Sequence, residues 1–137
     1  MTRFSLTMDE ALDFILNATK FGKGSEIFIP KVKAYSILDV KQALIELFGD
    51  TETKIIGIRP GEKLHETLIN FDEMRYSWDF KNMYMITNPI QEQDKILQTY
   101  SGIKKIEDME TYSSNVTEKI SKEEIKKIIQ QHVNINK

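Results

Sequence analysis

Apolar positions recur at helical spacing in three stretches of the chain. Met8, Ala11, Leu12, Ile15 and Leu16 share one helical face, behind a Thr7-x-x-Glu10 capping box. Gly22 and Gly24 should end this helix near Phe21. Ile37, Val40, Ala43, Leu44 and Leu47 mark a second helix, with cap residues at Ser36 and Asp39 and a stop at Gly49. Ile125, Ile128, Ile129 and Val133 mark a third, behind a Ser121-x-x-Glu124 box, with Asn134 to Lys137 fraying. Between them lie short apolar runs of strand length: Glu26 to Pro30, read as buried, Lys54 to Ile58, and Met83 to Ile86. Met1 to Leu6 reads as extended. Arg59-Pro60-Gly61 reads as a turn leading into a short helix from Glu62 to about Ile69. From Thr87 to Thr117 polar residues dominate, which predicts loop with a short helix at most. Alternating helices and strands point to an α/β or α+β fold.

The 137 residues suffice for one domain with a modest core. A net charge of −2 provides no basic field for nucleic acid or an anionic membrane, so any anion site must be local. The absence of cysteine excludes disulfides and thiolate metal sites. His65 and His132 lie far apart and form no metal-binding spacing. No stretch is apolar enough to cross a bilayer, and Met1 to Thr7 is too short and polar for a signal peptide. The expected compartment is therefore the cytoplasm, with neither nucleic acid nor membrane as partner.

The string Arg59-Pro60-Gly61-Glu62-Lys63-Leu64-His65-Glu66 carries the chemistry. A guanidinium beside a helix N-terminus suits a phosphate or diphosphate. A carboxylate at Glu62 can accept hydrogen bonds from a sugar or ribose diol. Local physics by itself favours a plain turn, with Arg59 in a surface ion pair and Glu62 complementing a helix dipole. Tyr76, Trp78 and Phe80 alternate, which suits either stacking on a base or one face of a strand packed on the core. The core reading is favoured, as is a surface or capping role for His65.

Taken together, Met1-Thr2-Arg3-Phe4, Glu10-Ala11, Gly24 to Lys31, Arg59 to Glu66 and Tyr112-Ser113-Ser114 resemble, in this order, the C-terminal third of the UDP-N-acetylglucosamine 4,6-dehydratases and related capsule and flagellin-glycan enzymes. Those are extended short-chain dehydrogenases. The resemblance is weakest from Phe71 to Thr111. It implies an α/β chain holding part of that fold: a single C-terminal substrate-binding domain over residues 1–137, with amphipathic helices and short strands and without the N-terminal dinucleotide-binding domain. It further implies that Arg3, Arg59 and Glu62 contact the UDP part of a UDP-sugar. The family reaction oxidises the sugar at C4, eliminates water across C5 and C6, and returns the hydride from bound NADP or NAD.

The cofactor and the catalytic pair of that family have no counterpart here. Gly22, Gly24 and Gly49 do not form a Gly-x-Gly-x-x-Gly turn after a strand. Of the five tyrosines, only Tyr100 is followed four positions on by lysine, Lys104, and it stands in a weakly patterned stretch at the wrong end of the family pattern. The expectation is that no catalytic, cofactor-binding or metal-binding residue lies in this chain. It would then be an incomplete part of a dehydratase or epimerase that needs a separate N-terminal subunit or self-association, or a binding module derived from one. Helices built to pack on a sheet that is mostly absent should leave apolar surface exposed.

Overall fold

The computed structural model describes residues 1–50 and 52–133. In chain order the first elements are β1 (Thr2–Phe4), α1 (Met8–Phe21), β2 (Ile27–Pro30), β3 (Ala34–Ser36) and α2 (Ile37–Phe48). There follow β4 (Thr67–Ile69), α3 (Phe71–Met74), β5 (Ser77–Phe80), β6 (Met83–Ile86) and α4 (Gln93–Thr99). The last are β7 (Lys104–Lys105), β8 (Tyr112–Ser113) and α5 (Lys122–His132). The fold is mixed α/β, and each ladder between these strands is antiparallel. The chain forms two compact units.

One unit comprises Leu6–Val32 and Thr67–Ser113. Its four-stranded sheet has the order β2-β6-β5-β7. Side chains alternate faces along a strand, so Trp78 and Phe80 share one face of β5, and Met83 and Met85 one face of β6. The register sets Trp78 opposite Met85 and Phe80 opposite Met83. These four join Ile96, Tyr100 and Ile103 in a buried cluster. Phe80 meets Phe21 and Tyr100 edge-on, with centroids 5.6 Å apart in each case. The Trp78 indole N–H donates to Thr87 Oγ1 at 3.1 Å, so its one polar atom is satisfied inside the core. Trp78 is therefore a core residue, and the alternation of 78 and 80 is that of a strand, while Tyr76 precedes β5 and is exposed. The smaller pair β4–β8 is tied down by Tyr112, whose hydroxyl donates to the Val32 carbonyl at 2.6 Å and accepts from the Val32 N–H at 2.7 Å.

The Thr7–Glu10 capping box forms, and α1 spans the predicted residues. Phe14 and Phe21 pack against the core cluster. The apolar stripe read from the sequence faces elsewhere: Met8 is 84% exposed, and Leu12, Ile15 and Leu16 are exposed as well. Leaving such a stripe wet forgoes about 25 cal/mol for each Å² that burial would remove from water.

The other unit comprises Met1–Ser5, Lys33–Glu66 and Ser114–Lys137. Strand β1 pairs with β3, and Ala34 continues into backbone hydrogen bonds with Glu118 and Ile120 at 2.9 Å each. Helix α2 packs on α5, with Ala43 and Ile125 buried. Ser36 caps α2 through the Leu38 N–H, Gly49 closes it at φ 93°, and the Ser121–Glu124 box opens α5. The predicted fraying at 134–137 lies outside the described residues.

Two expectations fail here. Lys54 to Ile58 is not a strand; Ile55 is 92% exposed, and Ile56 and Ile58 are exposed too. A strand exists only by pairing its N–H and C=O groups with a neighbour, and among the described residues no strand lies against this run. The helix expected from Glu62 to Ile69 is also absent, and Thr67–Ile69 pairs with β8 instead. A helix of so few residues cannot offset its nucleation cost when a ladder competes for the same backbone. Strands β3, β7 and β8 and helix α3, with its Asn70–Glu73 capping box, escaped the sequence reading.

Glu46 on α2 accepts from Lys122 at 2.6 Å and from Lys126 at 2.7 Å, both on α5. These two lysines hold its carboxyl at about 2, below the ordinary 4.5. A carboxylate whose pKa is depressed by folding stabilises the fold above its unfolded value, and that contribution is lost as pH falls through the folded value. Glu46→Gln should therefore lower the thermal midpoint at neutral pH. The gap to wild type should close as pH drops from about 4.5 toward 2, as followed by circular dichroism.

Candidate functional site

The three residues singled out by the sequence lie on two short segments of one unit, β1 and the Arg59–Glu66 loop. Pairing of β1 with β3 sets Arg3 opposite Tyr35, and pleating puts Arg3 on the face opposite Thr2 and Phe4. Thr2 is buried, and its N–H donates to the Leu64 carbonyl at 3.0 Å, so the strand and the loop share a backbone hydrogen bond.

The loop opens with a type II turn. Pro60 presets the second turn position, Gly61 takes φ 81° at the third, and the Glu62 N–H donates back to the Arg59 carbonyl at 3.0 Å. The Glu62 carboxylate also accepts the Arg59 N–H at 3.1 Å, so the turn is closed by backbone and side chain together. Without a helix at Glu62, no helix dipole or row of free N–H groups is available to attract an anion. Positive charge at the site comes from side chains alone.

Arg3 is set in a nest of acceptors. Its Nη1 donates to the carbonyls of Thr2 at 2.8 Å and Leu64 at 3.3 Å. Its Nη2 faces Glu62 Oε1 at 3.8 Å, and its Nε faces Glu66 Oε1 at 3.6 Å. The side chain is only 18% exposed. Arg3 and Glu62 are thus brought together. Arg59 is exposed, and its guanidinium has no hydrogen-bond or ion-pair partner among the described residues. Free of partners, it keeps the two parallel N–H groups that a phosphate takes up.

Under these residues runs a polar hub absent from the sequence reading of the site. Thr2 Oγ1 meets His65 Nδ1 at 2.7 Å and Ser114 Oγ at 2.8 Å. Ser114, fully buried, accepts the Glu66 N–H through its hydroxyl at 2.9 Å and donates its own N–H to the Glu66 carbonyl at 2.8 Å. His65 is exposed and engaged with Thr2, in keeping with a surface role. The clue available beforehand was the Tyr112-Ser113-Ser114 string, whose small hydroxyls are suited to buried junctions.

The other chemistry-bearing candidates do not build a site. Tyr100 is buried, with its hydroxyl donated to Glu26. Burial, then that hydrogen bond, push its pKa far above the ordinary phenol value, the reverse of what a proton-accepting tyrosine needs. Lys104 is an exposed residue of β7. Gly22 and Gly49 cap the C-terminal ends of α1 and α2, where free carbonyls rather than N–H groups project. That arrangement does not fit a dinucleotide pyrophosphate. Among the described residues no three His, Cys, Asp or Glu side chains cluster as metal ligands, and no helix is long and apolar enough to cross a membrane.

The family model described as "Polysaccharide biosynthesis protein" matches residues 1–88, a span that includes β1 and the whole Arg59–Glu66 loop. The chain belongs to this family. UDP-N-acetylglucosamine 4,6-dehydratase (inverting) of Campylobacter jejuni is 40% identical over 95 residues, which cover 69% of this chain and 28% of the dehydratase. UDP-glucose 4-epimerase of Rickettsia felis is 34% identical over 132 residues, covering 94% of this chain and 38% of the epimerase. The X-ray structure of Pen from Bacillus thuringiensis superimposes with a TM-score of 0.80 at 31% identity, over 96% of this chain and 39% of Pen. The resemblance read from the sequence and the α/β class of fold it implied both stand. The chain spans well under half the length of these relatives.

The turn geometry is testable by itself. An alanine at 61 meets no neighbouring atom but must take the left-handed conformation, which costs about 1–2 kcal/mol. Gly61→Ala should lower the urea midpoint accordingly, and Gly61→Asn should recover part of the loss.

Proposed function

We propose that this chain forms the nucleotide-sugar side of a dehydratase or epimerase in polysaccharide biosynthesis, with a UDP-sugar of the UDP-N-acetylglucosamine type as ligand. The reading rests on one observation above all. The Arg-Pro-Gly-Glu turn holds Glu62 against Arg3 and leaves the Arg59 guanidinium open to solvent. In this reading Arg59 takes the diphosphate with two N–H groups, Arg3 adds charge from β1, and Glu62 accepts from the ribose. The names of the dehydratase and epimerase relatives support the substrate class.

The oxidation and hydride return belong, in this proposal, to residues outside these 137. NAD or NADP would be held there, in the same polypeptide or in a separate subunit, since the glycines present do not form its cradle. The exposed stripe Met8, Leu12, Ile15 and Leu16 is the surface we assign to packing against that cofactor-carrying region. A second reading, a binding module without catalysis, draws on the core role of Tyr100 and the missing cofactor turn.

Titration calorimetry with UDP tests the ligand. Arg59→Ala should weaken binding by about 1.5–3 kcal/mol, the range for charge-assisted hydrogen bonds. Arg59→Lys should recover only part, because an ammonium lacks the paired geometry. Glu62→Gln should cost less than Arg59→Ala, and Arg75→Ala, outside the site, should cost little. Equal affinity of wild type and Arg59→Ala, both folded, would reduce the string to a turn.

Catalysis is tested separately. The 137-residue polypeptide, incubated with UDP-N-acetylglucosamine and NADP, should yield no product lighter by one water in mass spectrometry. Such a product would place catalytic residues inside this chain after all.

A further inference from the structure

Glu66 contributes to the site through its backbone and its carboxylate together. Its backbone is bonded at both ends to one residue: Ser114 Oγ accepts its N–H, and its carbonyl accepts the Ser114 N–H. Its side chain then reaches across to β1. Oε2 accepts the Phe4 N–H at 2.8 Å, and Oε1 stands 3.6 Å from Arg3 Nε. The other carboxylate beside Arg3, that of Glu62, belongs to the solvent-exposed turn and shares itself with the Arg59 N–H. The two carboxylates therefore differ in kind. Glu62 meets Arg3 Nη2 from the turn, whereas Glu66, held by the Phe4 N–H, meets Nε on the same edge of the guanidinium.

We propose that Glu66 is a positioning residue for nucleotide binding: held by Ser114, it orients the Arg3 guanidinium so that Nη2 points toward the Arg59–Glu62 turn. The inference rests on the UDP-binding reading above and adds a residue to it. A guanidinium is planar and gains most when each N–H is directed, so a fixed carboxylate at Nε sets the direction of the two terminal nitrogens. The Phe4 contact serves the same end, because it fixes the strand residue next to Arg3. Glu66→Gln separates the two contacts. An amide oxygen still accepts the Phe4 N–H, but the negative charge at Arg3 Nε is gone.

The test is a double-mutant cycle read by UDP titration, with a spectroscopic arm that needs no ligand. Glu66→Gln should weaken UDP binding about three- to tenfold, and the loss should vanish in an Arg3→Gln background, since contacting residues couple. The Arg3 Nε–Hε cross-peak, assigned by its disappearance in Arg3→Gln, should shift in Glu66→Gln and exchange faster with water. If Glu66→Gln does not fold, the same cross-peak is followed in Glu66→Asp, whose shorter side chain withdraws the carboxylate from Nε and should still shift it. Wild-type affinity in Glu66→Gln, an equal loss in both backgrounds, or an unmoved cross-peak would overturn the proposal and leave Glu66 a loop brace. If wild type itself does not bind UDP, the functional reading falls and the nucleotide role of Glu66 with it. A cross-peak that still moves would then preserve the orientation of Arg3 alone.

Discussion

The site hangs on the hydrogen bonds that Ser114 makes to Thr2 and Glu66. A buried hydroxyl without partners is costly, and Ser114 is buried, so each of its bonds constrains the others. Ser114 lies 112 residues beyond Thr2 and 48 beyond Glu66, yet it bonds both. Through it three distant segments converge: β1, the end of the Arg59–Glu66 loop, and the residue that follows β8. The order of causes runs from this junction outward. It fixes the Glu66 backbone, Glu66 and the Thr2 carbonyl direct Arg3, and Arg3 with the turn backbone directs Glu62.

Charge is distributed unevenly over the result. Arg3 faces two carboxylates and is mostly withdrawn from solvent, so much of its charge is answered within the protein. Arg59 faces water. A guanidinium already neutralised gains less from a phosphate than a free one, since the anion must compete with ligands in place. In the proposed UDP-binding reading Arg59 is thus the stronger anion contact of the two, and Arg3 the one that shapes the approach. Both are side-chain effects, because the turn leads into a loop rather than a helix.

The exposed apolar residues follow from the same economy of partners. Met8, Leu12, Ile15 and Leu16 on α1, and Ile55, Ile56 and Ile58 in the run at 54–58, are all exposed. Helix α1 still forms, because its capping box and backbone bonds are internal to it and Phe14 and Phe21 anchor one side. The run at 54–58 does not form a strand, because a strand has no internal hydrogen bonds to fall back on.

Helix boundaries were legible in the sequence because caps are local. Thr7–Glu10, Ser36, Gly49 and Ser121–Glu124 act within one turn of themselves, and each acts in the fold as its residue type implies. The Pro60-Gly61 turn was legible for the same reason, as was the family string that contains Arg59 and Glu62. Strand pairing and the polar hub were not. Trp78 alternates with Phe80, but only the pairing of β5 with β6 makes that alternation a core face. Thr2, Glu66 and Ser114 carry no mark of one another along the chain, since a hydrogen bond spanning 112 residues leaves no periodicity. Local chemistry determined where helices begin and end and which turn presents the arginine. Tertiary structure alone decided which carboxylate holds Arg3, because that depends on which distant backbone groups needed a partner once they were buried.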